Sequence, residues 1–256
     1  MSKSQHWYDR TGQAVFEVPK AKGGGMRATT LADARKLGLY PSVTTVLGVL
    51  DKPQLTDWKL SQVSNWCHGN PPQDNEGCDS YARRATEGAF QQVTDAADLG
   101  TAIHAALEAH FKGEQVPEGY DAYVDPVAAL IKREGITFLE HELRLVNAEV
   151  GYAGTTDAVI ETEDGWRGIL DFKSRKTKVG EKVSNWETEP MQIAAYYVAK
   201  FNRLPEVGAN LYISTTEKGR AEIVWYNPEQ LQKAWQAFTC ATHLWQYLKG
   251  YKPPTT

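Results

Sequence analysis

Two carboxylates and an ammonium, those of Asp157, Asp171 and Lys173, fall in a stretch whose pattern brings them together. Residues 154–173 read GTTDAVIETEDGWRGILDFK, with β-branched and aromatic residues on either side of Glu163-Asp164-Gly165. That is the signature of two short strands and a tight turn. In a hairpin centred on Asp164, Asp157 and Asp171 each lie seven positions from the centre and face one another, to within one residue of register. Asp171 and Lys173 are two apart on one strand and project to the same side.

Two close carboxylates repel unless a cation sits between them, and hard divalent ions such as Mg²⁺ take oxygen ligands. A lysine beside such an ion can hold an attacking water or help to deprotonate it, which is the equipment for metal-assisted phosphodiester hydrolysis. A plain Asp–Lys ion pair on an exposed hairpin is the other reading of the same residues. Further candidates surround the hairpin. His104 and Glu108 lie beside a stripe of Ile103, Leu107 and Phe111 at helical spacing, where a histidine can equally be a core-edge residue. Glu142 heads the strand-like run ELRLV, where a solvated charge is equally at home. Gln192 and Tyr196, four apart on an expected helix, share a face, as surface polar pairs also do.

The elements that must position these groups can be read along the chain. Residues 6–18 suggest a small hairpin about Arg10–Gly12, followed by a glycine-rich link at Gly23–Gly25 and a short helix near Leu31–Leu37. Ser42 or Thr44 can cap a helix in PSVTTVL, and a tryptophan-bearing helix follows around Leu55–Trp66. Gly69 to Asp79 is a turn-rich loop, and the pattern is helical from about Tyr81 to Lys112. After the central hairpin come a loop rich in lysine and arginine, a helix from about Pro190 to Asn202, and a second hairpin, NLYIST and AEIVWY, about Glu217–Arg220. A long amphipathic helix closes the chain, with Leu231, Trp235, Phe238, Trp245 and Leu248 expected on its buried face and Gly250 as its cap. This order predicts an α/β fold, a mixed sheet containing an antiparallel hairpin, with a largely helical lobe before it. The expected division is a hairpin and helical lobe over 1–98 and a core over 99–256.

Composition bounds the function. The 256 residues are 41% hydrophobic and 23% charged, the profile of a globular protein. A net charge of −4 argues against a protein that coats nucleic acid by bulk charge, yet leaves room for a local basic groove. No apolar run approaches membrane-spanning length and MSKSQHWYDR has no apolar signal-peptide core, so a cytoplasmic location and no membrane partner are expected. Cys67, Cys78 and Cys240 are too few for a disulfide framework or a four-cysteine iron–sulfur cluster. No Walker A motif is present, so the chain is not itself an ATP-driven helicase.

The order of the candidates carries more than any one of them. GTAIH (Gly100–His104), Glu142, GTTD (Gly154–Asp157), DFK (Asp171–Lys173) and QIAAY (Gln192–Tyr196) follow one another over residues 99–200. The series resembles the RecB-like branch of the PD-(D/E)xK nuclease superfamily, whose motifs run G-x-x-x-H, E, G-x-x-D, D-x-K, Q-x-x-x-Y. Upstream, YPSVTTVLGVL followed by LTDWK resembles a segment of phage exonucleases and of the mitochondrial genome maintenance exonucleases, which extends the likeness back to Tyr40.

The resemblance implies a restriction-endonuclease-like core with flanking helices and one or two Mg²⁺ or Mn²⁺ ions. It implies that His104, Asp157, Asp171 and the backbone carbonyl of Phe172 ligate a metal, and that Glu142 binds a second ion or its water. Lys173 would orient the nucleophilic water and steady charge on the phosphate. Gln192 would position Lys173 or a DNA phosphate, and Tyr196 would support the helix against the site. Arg175, Lys176 and Lys178 follow the metal motif and can bind phosphate or form a solvated loop. Ser42 and Thr44 can touch a DNA backbone by likeness or act simply as caps. Trp58, Trp66 and Trp186 can stack on unpaired bases, though most tryptophans serve packing.

The expected activity is a metal-dependent DNA exonuclease working on single strands or DNA ends in phage or bacterial recombination, repair or replication. A recombinase, a single-strand-binding protein or a helicase would be its partner. A structure-selective endonuclease with the same metal site is the alternative enzyme. A catalytically silent DNA- or partner-binding module is the alternative outside enzymology.

Overall fold

The structure, a computed structural model, describes residues 6–255. Strand β1 (Trp7–Tyr8) is followed by β2 (Glu17–Pro19), β3 (Met26–Ala28), helix α1 (Leu31–Leu37), β4 (Tyr40–Pro41) and α2 (Val43–Leu47). The turn expected at residues 10–12 is present, closed by Gly12 N–H to Asp9 O at 3.1 Å. The strand partner of β1 is β4, however, with Trp7 opposite Pro41 and Tyr8 opposite Tyr40, and only a single bridge joins Tyr8 to Ala14. The glycines at 23–25 lie between β2 and β3, which pair antiparallel, so the expected link is a hairpin turn. Helix α1 keeps its expected span because Thr30 and Asp33 form a reciprocal capping box and Gly38 ends it in the left-handed region.

Residues up to Leu50, together with Glu118 onward, form one compact unit, and Asp51–Pro117 forms another. The second unit holds α3 (Pro53–Gly69), α4 (Cys78–Ala89) and α5 (Gln91–Phe111). The helical run expected from Tyr81 is broken at Phe90, and α5 runs continuously through residues 98 and 99, where the sequence suggested a boundary. The loop between α3 and α4 is clamped by Arg84. Its guanidinium grips Glu76 at 2.7 Å and lies 5.2 Å from the Trp66 ring centroid and 5.3 Å from that of Tyr81.

The first unit resumes with α6 (Asp121–Arg133), a helix that the sequence reading passed over. Pro126 inside it has no N–H for the carbonyl of Ala122, which would ordinarily weigh against a helix. Gly219 N–H supplies the missing donor to Ala122 O at 3.1 Å. A local defect is thus repaired by a residue almost a hundred positions away.

The main sheet follows, with β5 (Thr137–Asn147), β6 (Tyr152–Glu161), β7 (Arg167–Arg175), β8 (Gly208–Ser214) and β9 (Ala221–Tyr226) side by side in that order. All neighbours are antiparallel except β7 and β8, which are parallel and joined through α7 (Thr188–Phe201). A parallel pair needs such a crossover, since no short turn can reverse the chain twice. The protein is therefore a mixed α/β fold with an antiparallel hairpin inside a mixed sheet. Helix α7 packs on the sheet through Ile193, against Gly208, and Tyr196, against Gly154, both buried, and α8 (Pro228–Lys249) packs on α7. Leu231, Phe238 and Trp245 of α8 are buried, each contributing about 1.5–3 kcal/mol of apolar transfer. Trp235 is only partly buried, and Leu248, expected on the same face, is 58% exposed. None of the helices described is long and apolar enough to cross a membrane.

Candidate active site

The hairpin turn closes at Thr162–Trp166, with Gly165 in the left-handed region at φ 82° and its N–H donating to Thr162 O at 2.8 Å. The strands then pair as Glu161 with Arg167, Ile160 with Gly168, Val159 with Ile169 and Ala158 with Leu170. The ladder ends at that pair, and the next residues along the two strands are Asp157 and Asp171. Asp157 Oδ2 accepts a hydrogen bond from Phe172 N–H at 2.6 Å, which ties the two strands at this level.

Pairing on the other side of β6 extends the line. His141 pairs with Ala158 and Leu143 with Thr156, so the residue between them, Glu142, stands level with Asp157. Glu142 has φ 45°, a left-handed conformation that is strained for a residue other than glycine and worth about 1–3 kcal/mol. On β8, the parallel register sets Asn210 beside Asp171. Glu142, Asp157, Asp171 and Asn210 thus form a transverse row over four neighbouring strands. Burial deepens along it, from exposed Glu142 through half-buried Asp157 to Asp171 at 3% exposure and Asn210 at 0%.

Each member at the deep end is held in place. Asn210 Nδ2 donates to Asp171 Oδ2 at 3.2 Å, and its own Oδ1 accepts from Tyr226 Oη at 2.8 Å, which fixes the orientation of the amide. Gln192 Nε2 donates to Asp171 Oδ1 at 3.3 Å and to Tyr196 Oη at 3.3 Å, while Gln192 Oε1 accepts from Lys173 Nζ at 3.1 Å. Lys173 also forms an ion pair with Asp171. Burial alone would lower the pKa of this ammonium. The charge and hydrogen bond of Asp171, backed by Asp157 and Glu189, outweigh burial and hold it above its ordinary value. Lys173 is therefore a cation at neutral pH. Burial drives the Tyr196 hydroxyl well up, so it stays neutral as a hydrogen-bond partner.

The glycine of GTTD has a steric reason to be there. A Cβ on Gly154 would lie 2.7 Å from Tyr196 Cε1, so the strand and α7 can meet at this distance only without a side chain. Two of the motif elements read from the sequence, GTTD and QIAAY, are thus halves of one contact.

The remaining expected site residues lie on other elements. His104 is on α5 in the second unit, half-buried beside the fully buried Ile103 and Leu107. Ser42 caps α2, accepting from Thr45 N–H at 3.0 Å, and is 4% exposed, whereas Thr44 is exposed with its Oγ1 3.0 Å from Ser42 Oγ. Lys176 and Lys178 are exposed. Arg175 is not a free phosphate contact: its guanidinium is bound to the buried Glu189 at 2.5 Å and lies 4.9 Å from the Tyr212 ring centroid. Glu189 also accepts from Trp186 N–H and from Tyr212 Oη, both at 2.7 Å. Asn210, Glu189, Tyr212 and Tyr226 are site-supporting residues that the sequence reading missed. No spacing rule marks them, since Asn210 and Tyr212 come level with Asp171 and Arg175 through the β7–β8 pairing, Tyr226 joins from β9, and Glu189 reaches Arg175 from α7.

The donor set, carboxylate oxygens on neighbouring strands, suits a hard divalent cation in kind. Among the described residues no three His, Cys, Asp or Glu side chains converge closely enough to hold an ion as they stand. Lys173 supplies the positive charge at the deep end of the row. No protein-family model matches the chain, and no curated protein matches it. Among solved structures, the crystal structure of SSO0001 is 14% identical with a TM-score of 0.31, the match covering 79% of this chain and 89% of that one, a likeness too slight to bear on function.

Proposed function

We propose that the chain is a metal-dependent deoxyribonuclease, an exonuclease that hydrolyses phosphodiester bonds on single-stranded DNA or at DNA ends in recombination, repair or replication. The observation that carries this reading is the transverse row of Glu142, Asp157 and Asp171 with Lys173 beside it, in the order of motifs that resembles RecB-like nucleases. Asp157, Asp171, the Phe172 carbonyl and Glu142 would hold Mg²⁺ or Mn²⁺. When bound, such an ion supplies Lewis-acid activation of the phosphate and of the attacking water.

The residues of the chain do the rest. Lys173, kept protonated by Asp171, presents a cation that steadies negative charge growing on the phosphate. Gln192 holds the ammonium and the Asp171 carboxylate in one geometry, so neither has to reorient during the reaction. Asn210, oriented by Tyr226, holds the buried side of Asp171. A cytoplasmic site of action goes with this reading.

End-labelled single- and double-stranded DNA incubated with Mn²⁺, with and without chelator, tests it. Chelator-sensitive release of short products is expected, and Lys173→Ala should abolish it while leaving the fold intact. Undiminished hydrolysis by purified Lys173→Ala would refute the assignment. Circular single-stranded DNA should stay whole; its cleavage would turn the reading to an endonuclease.

A further inference from the structure

Between β7 and α7 the chain makes no regular structure, yet it is pinned along its whole length. Thr177 N–H donates to Thr216 Oγ1 at 3.0 Å, and Thr216 Oγ1 donates back to Thr177 O at 2.8 Å. Arg220 donates to Lys178 O at 3.0 Å and reaches Glu181 O with its other nitrogen. Val183 N–H bonds Glu222 at 3.4 Å, and Arg175 holds Ser184 O. Exposed on this strap are Lys176, Lys178, Val179 at 85% exposure, Lys182 and Trp186 at 48% exposure, together with Glu181, 3.6 Å from Lys178, and Glu187.

Trp186 differs from the other half-exposed tryptophans in what stands behind it. The Arg175 guanidinium carbon lies 5.8 Å from its ring centroid, and that guanidinium is itself fixed by Glu189 and Tyr212. The backbone N–H of Trp186 is tied to Glu189 as well. One side of the indole is thus backed by a cation that cannot move away, and about half of the residue's surface faces solvent. Arg175 is two residues beyond Lys173 on the same strand face, about 6.6 Å along β7. Trp166, by contrast, sits beside the turn at the far end of the hairpin, and Trp58 belongs to the second unit near Phe90.

We infer that Trp186 is a stacking platform for an unpaired nucleobase, and that the strap carrying it holds a single strand as it leaves the Lys173 site. The inference rests on the nuclease reading above and narrows its substrate to unpaired strands. A flat aromatic face accepts any base, and the exposed lysines of the same strap supply phosphate attraction for a single strand. Because the strap is already ordered, little conformational entropy is lost on binding. A duplex, whose bases are stacked on one another, has no free face to offer the indole.

The test is fluorescence anisotropy of labelled oligo(dT), of an abasic strand of the same length and of a blunt duplex, in chelator so that the DNA stays whole. Wild-type protein is compared with Trp186→Ala and Trp186→Phe, each checked for an unchanged thermal midpoint. Trp186→Ala should weaken oligo(dT) binding about 5- to 150-fold, with Trp186→Phe keeping most of the affinity and the blunt duplex unaffected. Wild type should bind the abasic strand no better than Trp186→Ala binds oligo(dT), and Trp186→Ala should not distinguish the two strands. Should Trp186→Ala fail to fold, the wild-type comparison of oligo(dT) with the abasic strand decides. Failure of wild type to hold oligo(dT), equal wild-type affinity for the abasic strand, or an equal loss on the duplex would each overturn the inference. The nuclease reading fails separately, through absence of metal-dependent cleavage by wild type.

Discussion

Asp171 and Asn210 stand side by side on parallel strands, with the amide of one donating to the carboxylate of the other at 3.2 Å in a region where both are buried. Tyr226 Oη, at 2.8 Å, orients that amide from the next strand. Asn210→Ala leaves Asp171 and Tyr226 each short of a partner, and a stability loss of about 1–3 kcal/mol is expected. Asn210→Asp should be worse, because it sets a second carboxylate against Asp171 where a donor stood. Urea denaturation of both variants checks the order, with Tyr226→Phe expected to lose less than either.

Gln192 touches three site groups at once, Lys173 at 3.1 Å and Asp171 and Tyr196 at 3.3 Å. Replacing it by alanine removes no charge and no proposed metal ligand. Hydrolysis by Gln192→Ala should fall on the order of 10–100-fold, with an unaltered far-ultraviolet spectrum. Activity equal to wild type would show that Lys173 and Asp171 hold each other without help.

Gly154→Ala should cost about 1–3 kcal/mol through overpacking, since its Cβ would stand 2.7 Å from Tyr196 Cε1. Adding Tyr196→Leu to that variant makes room for the methyl and should recover part of the loss. A double-mutant cycle measures the coupling directly; strict additivity of the two changes would mean that the contact is not what demands the glycine.

Glu76 is held down to about 2 from an ordinary 4.5, mainly by the hydrogen bonds from Arg84 and then by the N–H of Gln73. A carboxyl depressed on folding stabilises fully above its unfolded value and loses that contribution as the pH falls through its folded one. The clamp on the α3–α4 loop should therefore weaken between about pH 4.5 and pH 2. Comparing acid unfolding of wild type and Glu76→Gln isolates the effect: the variant should lack that part of the pH dependence.

What was legible in the sequence was what depends on near neighbours. Symmetry about Asp164 placed Asp157 across from Asp171, because a hairpin register follows from its turn. The span of α1 followed from its caps, and the second hairpin from its alternation and Gly219. Helix α6 went unread; Pro126 is a local signal against it, and the donor that offsets it comes from Gly219, far along the chain.

The sequence by itself determined the acidic hairpin, the lysine beside it and the order of the motifs. Only the tertiary structure decided that Glu142 stands level with Asp157, that Asn210 backs Asp171, and that Arg175 belongs to Glu189 rather than to solvent. The physical reason is sequence distance. Turn chemistry and side-chain alternation act over a few residues, whereas β7 meets β8 only after the chain has crossed through α7, and no periodicity records which residues such a crossover sets side by side.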